Sequence, residues 1–121
     1  MSILHDMHGH KVLEWQAAAA KVLDLIGDAS ASDPDWVAIS TSALPADFFE
    51  LKTGIAGEWT QKCVNYGIRL AILGDVSRYI ARSKAFADFV REANRGGQLW
   101  FLDDLEALGA RLAGQPRRGE R

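Results

Sequence analysis

FFELKTGIAGEWTQKCVNYGIRLAILGD, residues 48–75, sets an amphipathic helix directly against a buried strand. After Leu51, the residues Ile55, Trp59, Cys63 and Tyr66 recur at helical spacing, flanked by Ala56 and Val64, and Gly67 closes the run. Arg69-Leu70-Ala71-Ile72-Leu73 follows without alternation, the pattern of a strand covered on both faces. Gly74-Asp75 ends it. Gly54 and Gly57 stand where the helix should begin, although a glycine inside a helix costs about 1 kcal/mol relative to alanine. Close packing or a site must offset that cost.

The same two patterns extend outward. Upstream, Trp36-Val37-Ala38-Ile39-Ser40 after Pro34 is a second buried strand, and Pro45 opens a short helical turn through Phe48 and Phe49. Before it, the stretch from Gln16 through the alanines to Ile26 reads as a helix, with Ala19, Val22, Leu23 and Ile26 on one face and Gly27 near its end. Ile3 to His5 and Lys11 to Glu14 flank a turn-like Asp6-Met7-His8-Gly9, which predicts a hairpin.

Downstream, Ser83 is a good N-cap for a helix carrying Phe86, Phe89, Val90 and Ala93, stopped by Asn94-Arg95-Gly96-Gly97. Gln98 to Leu102 is the third buried strand. Asp103 and Glu106 then make a capping-box-like start for a helix with Leu105, Leu108 and Leu112. The order ββαβαβαβα predicts an α/β fold with right-handed crossovers: a mainly parallel mixed sheet with helices, edged by an antiparallel hairpin. Ligands of such sheets sit beyond the carboxyl ends of the strands.

With 121 residues and 13.3 kDa, the chain is expected to form one domain over residues 1–113, followed by a flexible tail, Gly114 to Arg121. A formal net charge of −2 gives no electrostatic reason for a nucleic-acid or membrane partner. One cysteine, Cys63, excludes an internal disulfide, and no run is long or apolar enough for a membrane span or a secretion signal, so a cytoplasmic protein is expected. No cofactor is implied.

At DFFELKTGIAGEWTQKCVNYGIRLAILGD, followed by SKAFADFVREANRGGQLWF, the chain resembles an uncharacterised bacterial family catalogued as domain of unknown function 4180. The likeness runs from Leu23-Asp24-Leu25-Ile26-Gly27 to the last strand. It departs from the family pattern at Lys52, Trp59 and Cys63, where arginine, a smaller aliphatic and phenylalanine are usual, and the connection after Glu14 is shorter. The family name carries no activity. The element order, and a hydroxyl residue followed by glycine at the start of the helix after the third strand, are also similar to the STAS domain of anti-anti-sigma factors. In that family a serine or threonine at this place is phosphorylated to switch partner binding. The resemblance puts that role on Thr53.

Two candidate sites follow, each with a plainer alternative. Thr53 is a phospho-acceptor or simply the N-cap of its helix. Gly54, Gly57, Glu58, Gln61 and Asn65 share the face opposite the apolar stripe; they form an interaction or ligand surface, or they pack against a neighbouring element, with Glu58 and Lys62 a surface ion pair. Asp75, Arg78 and Lys84 are candidates for an anion site at a strand end, or belong to a solvated loop. His5, His8 and His10 lack a metal-ligand frame, so no metal is expected. With no histidine after Trp15 and Cys63 on an apolar stripe, enzymatic chemistry has little support. A small regulatory or protein-interaction module is expected, homodimeric and switched at Thr53; the alternative is a binding protein or enzyme for a small anionic metabolite, with its site at the carboxyl ends of the strands.

Overall fold

His8 (φ 56°) and Gly9 (φ 85°) are consecutive left-handed residues, and such a two-residue loop matches the twist of antiparallel strands. In the computed structural model, which describes residues 2–16 and 21–116, the loop joins β1 (Ser2–Met7) to β2 (His10–Trp15). The turn is tighter than the expected Asp6-to-Gly9 insert, because Asp6 and Met7 lie in the strand and the Asp6 carboxylate accepts the Gly9 N–H at 3.0 Å.

From β2 the chain passes through α1 (Val22–Ala29) to β3 (Trp36–Ser40), and then through three short 3-10 turns to α2 (Ile55–Asn65). β4 (Arg69–Leu73), α3 (Ser77–Arg82), α4 (Lys84–Arg95), β5 (Leu99–Leu102) and α5 (Leu105–Leu112) complete the order. The sheet runs β1-β2-β3-β4-β5, antiparallel at the first pair and parallel thereafter. Every parallel step moves in the same direction. Right-handed crossovers therefore bring α1, α2 and α4 to one face. Among the described helices, only α5 covers the other.

This arrangement explains the continuous apolar runs. Val37, Ile39, Leu70, Ile72, Leu99 and Phe101 pack under Leu25, Ile26, Trp59, Cys63 and Phe86 of the three helices. The intervening Trp36, Ala38, Ala71 and Trp100 meet Leu108 and Leu112 of α5. Trp36 and Trp100 stack with centroids 4.0 Å apart, and the Arg111 guanidinium lies 3.7 Å over Trp100. At the other margin, Trp15 Nε1 donates to Asp28 Oδ2 at 2.9 Å and ties the end of β2 to α1.

Several expected boundaries shift. Gln16 is not helical, and Ala17 to Ala20, including Ala19 of the expected face, lie outside the described residues. The buried face of α1 is Val22, Leu25, Ile26 and Ala29 at i, i+3, i+4, i+7, so Leu23 is left 53% exposed and the helix continues through Gly27. Tyr66 is 60% exposed, and Ile68 closes the core beneath α2 in its place. α3 was not expected; it buries none of its own residues fully. The N-cap of α5 is Asp104, whose carboxylate accepts the Ala107 N–H at 2.8 Å, not Asp103. The tail expected from Gly114 is described only as far as Pro116.

Candidate functional site

Three 3-10 turns between Thr41 and Thr53 carry the chain from the end of β3 to the start of α2. Thr53 closes the last of them. Its hydroxyl shares its proton between the carbonyls of Glu50 (2.7 Å) and Asp47 (2.9 Å), and accepts the Ile55 N–H at 3.3 Å. The N-cap itself is Gly54, at φ 79°, so the expected capping role of Thr53 moves one residue on. Thr53 still satisfies a free donor of the first turn. It does so from outside the cap.

The two glycines separate here. Gly54 needs its left-handed backbone, which other residues reach at a cost. Gly57 has ordinary helical geometry, and a methyl group added there would meet no atom within 4 Å. Among the described residues no neighbouring element packs on it. Glu58, Gln61 and Asn65 are exposed beside it, with Gln61 Nε2 donating to Asn65 Oδ1 at 2.9 Å. Among the described residues no Glu58–Lys62 ion pair forms. Val64, 46% exposed, lies on the same arc as Gly57 and Gln61, opposite the buried Ala56, Trp59 and Cys63. The face is open, and it is polar with one apolar centre.

Beyond the carboxyl ends of the strands, on the α5 side, lies a cleft of about 480 Å³. Ala38, Leu73 and Leu105 contribute its apolar lining, and Glu14, Ser40, Ser42, Asp103 and Asp104 its polar lining. Gly74 belongs to it as well: at φ 140° its Cα is approached so closely by Thr41 that an added Cβ would sit 2.5 Å from Oγ1. Among the described residues no cation lines the cleft. Asp75, Arg78 and Lys84 lie outside it, each engaged with a near neighbour. Asp75 accepts the Ser77 N–H at 2.8 Å; hydrogen bonds from Ser77 and, after them, the charge of Arg78 hold its carboxyl below the usual range. Arg78 donates to the Tyr79 hydroxyl at 2.7 Å, and Lys84 pairs with Asp88 at 3.5 Å.

Other groupings escaped the sequence. Phe49, stacked on Tyr79 at 4.3 Å, lines a groove of about 340 Å³ with Lys52 and Arg82, and Arg82 also lies 5.2 Å over the Tyr79 ring. It depends on α3, which no pattern announced. His5 Nε2 lies 2.9 Å from Glu14 Oε1, a pair set by hairpin register. His10 is buried with its Nε2 3.3 Å from the Gln115 carbonyl, and His8 is in the turn. Among the described residues no three His, Cys, Asp or Glu side chains gather for a metal. Burial pushes the Cys63 thiol up to about 11, which keeps it protonated and unreactive at neutral pH. No helix among the described residues is long and apolar enough to cross a membrane.

The model of the family described as "Domain of unknown function (DUF4180)" matches residues 7–112, from the end of β1 through α5, and the chain belongs to that family. Neither the curated proteins nor the solved structures contain a match to it.

Proposed function

We propose that this DUF4180 domain is a regulatory protein-interaction module whose partner seats on the exposed face of α2. Gly57 carries the proposal. It costs helix stability, its backbone does not require glycine, and, apart from its chain neighbours and its own helix backbone, no atom of the described residues comes within 4 Å of the missing side chain. A partner backbone lying over the helix would need that space, with Gln61 and Asn65 as hydrogen-bonding groups and Val64 as the apolar centre. Thr53 is the switch in this proposal. Phosphorylation would remove the proton it shares with the Glu50 and Asp47 carbonyls and set a dianion beside Lys52. The element order shared with STAS domains supports a switch here as a fold-level analogy.

A photo-crosslinking residue placed at Gln61 in cells, with one at Glu92 on α4 as control, tests the face. Discrete adducts at position 61 alone, abolished by Gly57→Arg and altered by Thr53→Glu but not by Thr53→Ser, are expected. Identical adducts at both positions, or adducts indifferent to Gly57→Arg, would defeat the proposal.

The cleft at the strand ends supports a second function, small-molecule binding. Its carboxylates favour a cationic or polyhydroxylated ligand over an anionic metabolite, because Glu14, Asp103 and Asp104 face no compensating cation among the described residues of the lining. Thermal-shift screening of amines, sugars and phosphates against wild type and Asp103→Asn would separate these classes. Stabilisation by phosphates alone would exclude this cleft as the site.

A further inference from the structure

The outer strands of a sheet expose main-chain N–H and C=O groups without ladder partners, and folded proteins blunt such edges. Among the described residues, this sheet is blunted on one side only. The carbonyls of Gln98 and Leu102 accept from Leu70 and Gly74, both at 2.9 Å, so Leu99 and Phe101 of β5 direct their own groups outward. Asn94 lies against that edge in place of a neighbouring strand: its Oδ1 accepts the Phe101 N–H at 2.7 Å, and its Nδ2 donates to the Phe101 carbonyl at 3.3 Å.

β1, at the opposite edge, has no such cover among the described residues. It is six residues long, in unbroken register with β2, and contains no lysine, arginine or proline. Its outward groups follow from β2. Lys11 donates its N–H to the Asp35 carboxylate and accepts the Asp35 N–H, both at 2.8 Å, so its main chain faces β3. His10, Val12 and Glu14 therefore face β1 and form the hydrogen-bonded pairs with Met7, His5 and Ile3. Ser2, Leu4 and Asp6 point their main-chain groups away from the sheet. Leu4 is 50% and Ile3 44% exposed, on opposite faces of the strand.

We propose that β1 is a homodimerisation strand: a second copy of this chain pairs antiparallel with it, Leu4 opposite Leu4, and joins two five-stranded sheets into one. Outward-facing residues must pair with outward-facing residues, so a twofold axis can pass only through registers that set Ser2, Leu4 and Asp6 against one another. Centred on Leu4, Ser2 faces the partner's Asp6 and exchanges two hydrogen bonds with it, while Ile3 covers the partner's His5. A hydroxyl meets a carboxylate, leucine meets leucine, and no like charges stand opposite. Centring on His5 instead would oppose two histidines and set Leu4 against Asp6. The strand complements itself, and this selects a second copy as occupant. The proposal uses no residue of α2 and stands apart from the function proposed above.

Leu4→Cys tests it under mild oxidation, since Cys63 is buried and the engineered thiol is the only accessible one. Hydrogen-bonded antiparallel partners sit about 5.5 Å apart at Cα, within disulfide reach. Leu4→Cys should form a linked dimer at least about tenfold faster than His8→Cys at the hairpin tip, because pairing holds the thiols at a high effective concentration. Leu4→Lys sets two ammonium groups opposite each other and should weaken dimerisation in sedimentation by about tenfold or more, with an unchanged circular dichroism spectrum. Equal cross-linking at positions 4 and 8, faster cross-linking through Val64→Cys, a monomer at every concentration, or a dimer indifferent to Leu4→Lys would each overturn the proposal.

Discussion

Gly54→Ala and Gly57→Ala, three residues apart at the start of one helix, should move stability in opposite directions. At Gly57 the added methyl meets nothing within 4 Å and the backbone is helical, so the change recovers the helix propensity that glycine forfeits, about 1 kcal/mol. In a chain of this size that raises the melting temperature by about 3–6 °C. At Gly54 the surroundings are equally open, but φ is 79°, and an L-residue held there costs roughly 1–2 kcal/mol. The two variants should therefore differ by about 2–3 kcal/mol although neither creates a clash. Urea denaturation of both against wild type, monitored by circular dichroism, measures the difference. The slopes should stay equal, because neither change alters the surface exposed on unfolding. A Gly57→Ala variant no more stable than wild type would refute the premise that this face is open within the chain. A neutral Gly54→Ala would refute the strained cap. If the proposed function holds, Gly57→Ala also weakens partner cross-linking at position 61 while stabilising the fold, a combination that general damage to the fold would not produce.

The remaining predictions concern single groups. Cys63, its thiol raised to about 11 by burial, should resist alkylation at neutral pH in the folded protein and react fully in denaturant, as mass spectrometry would show. Asn94→Ala strips both partners from Phe101 and should cost about 1–3 kcal/mol in urea unfolding, with Asn94→Asp less damaging because the acceptor for the Phe101 N–H survives. The folded Asp75 carboxyl titrates below its unfolded value, so its contribution is present above the unfolded value and lost as pH falls through the folded one. The stability gap between wild type and Asp75→Asn should accordingly be fully open at neutral pH and close in the acid range; a gap that widens on acidification would contradict the Ser77 contacts.

Elements covered on both sides announced themselves. Trp36–Ser40 and Arg69–Leu73 are strands at the residues where their apolar runs begin and end, because helices on both faces remove the alternation that a half-exposed strand would show. Expectation and structure part where apolar residues do not reach the core. Leu23 and Tyr66 lie off the buried arcs of α1 and α2, and composition alone cannot tell such a residue from a core one. α3 was invisible because none of its residues is fully buried, so it carries no periodic stripe. The α2 face was legible, being the complement of a stripe within one helix. The strand-end cleft was legible only in position; its acidic lining comes from Glu14, Asp103 and Asp104, brought together by strand order.

Two features survive once the chain's own needs are met. Gly57 costs helix stability in a place where no other element among the described residues approaches it. Among the described residues, β1 leaves its main chain open although the same sheet uses Asn94 to cover its other edge. An isolated domain would gain from alanine at position 57 and from a lysine on β1. The two features lie on different elements and differ in kind, one a missing side chain and the other unpaired main-chain groups. Each therefore calls for a contact of its own: close approach of a partner backbone over α2, and strand pairing at β1. The two can be broken separately. Leu4→Lys should leave the adducts at position 61 in place, and Gly57→Arg should leave the dimer intact; loss of both contacts in either variant would mean that a single surface serves both.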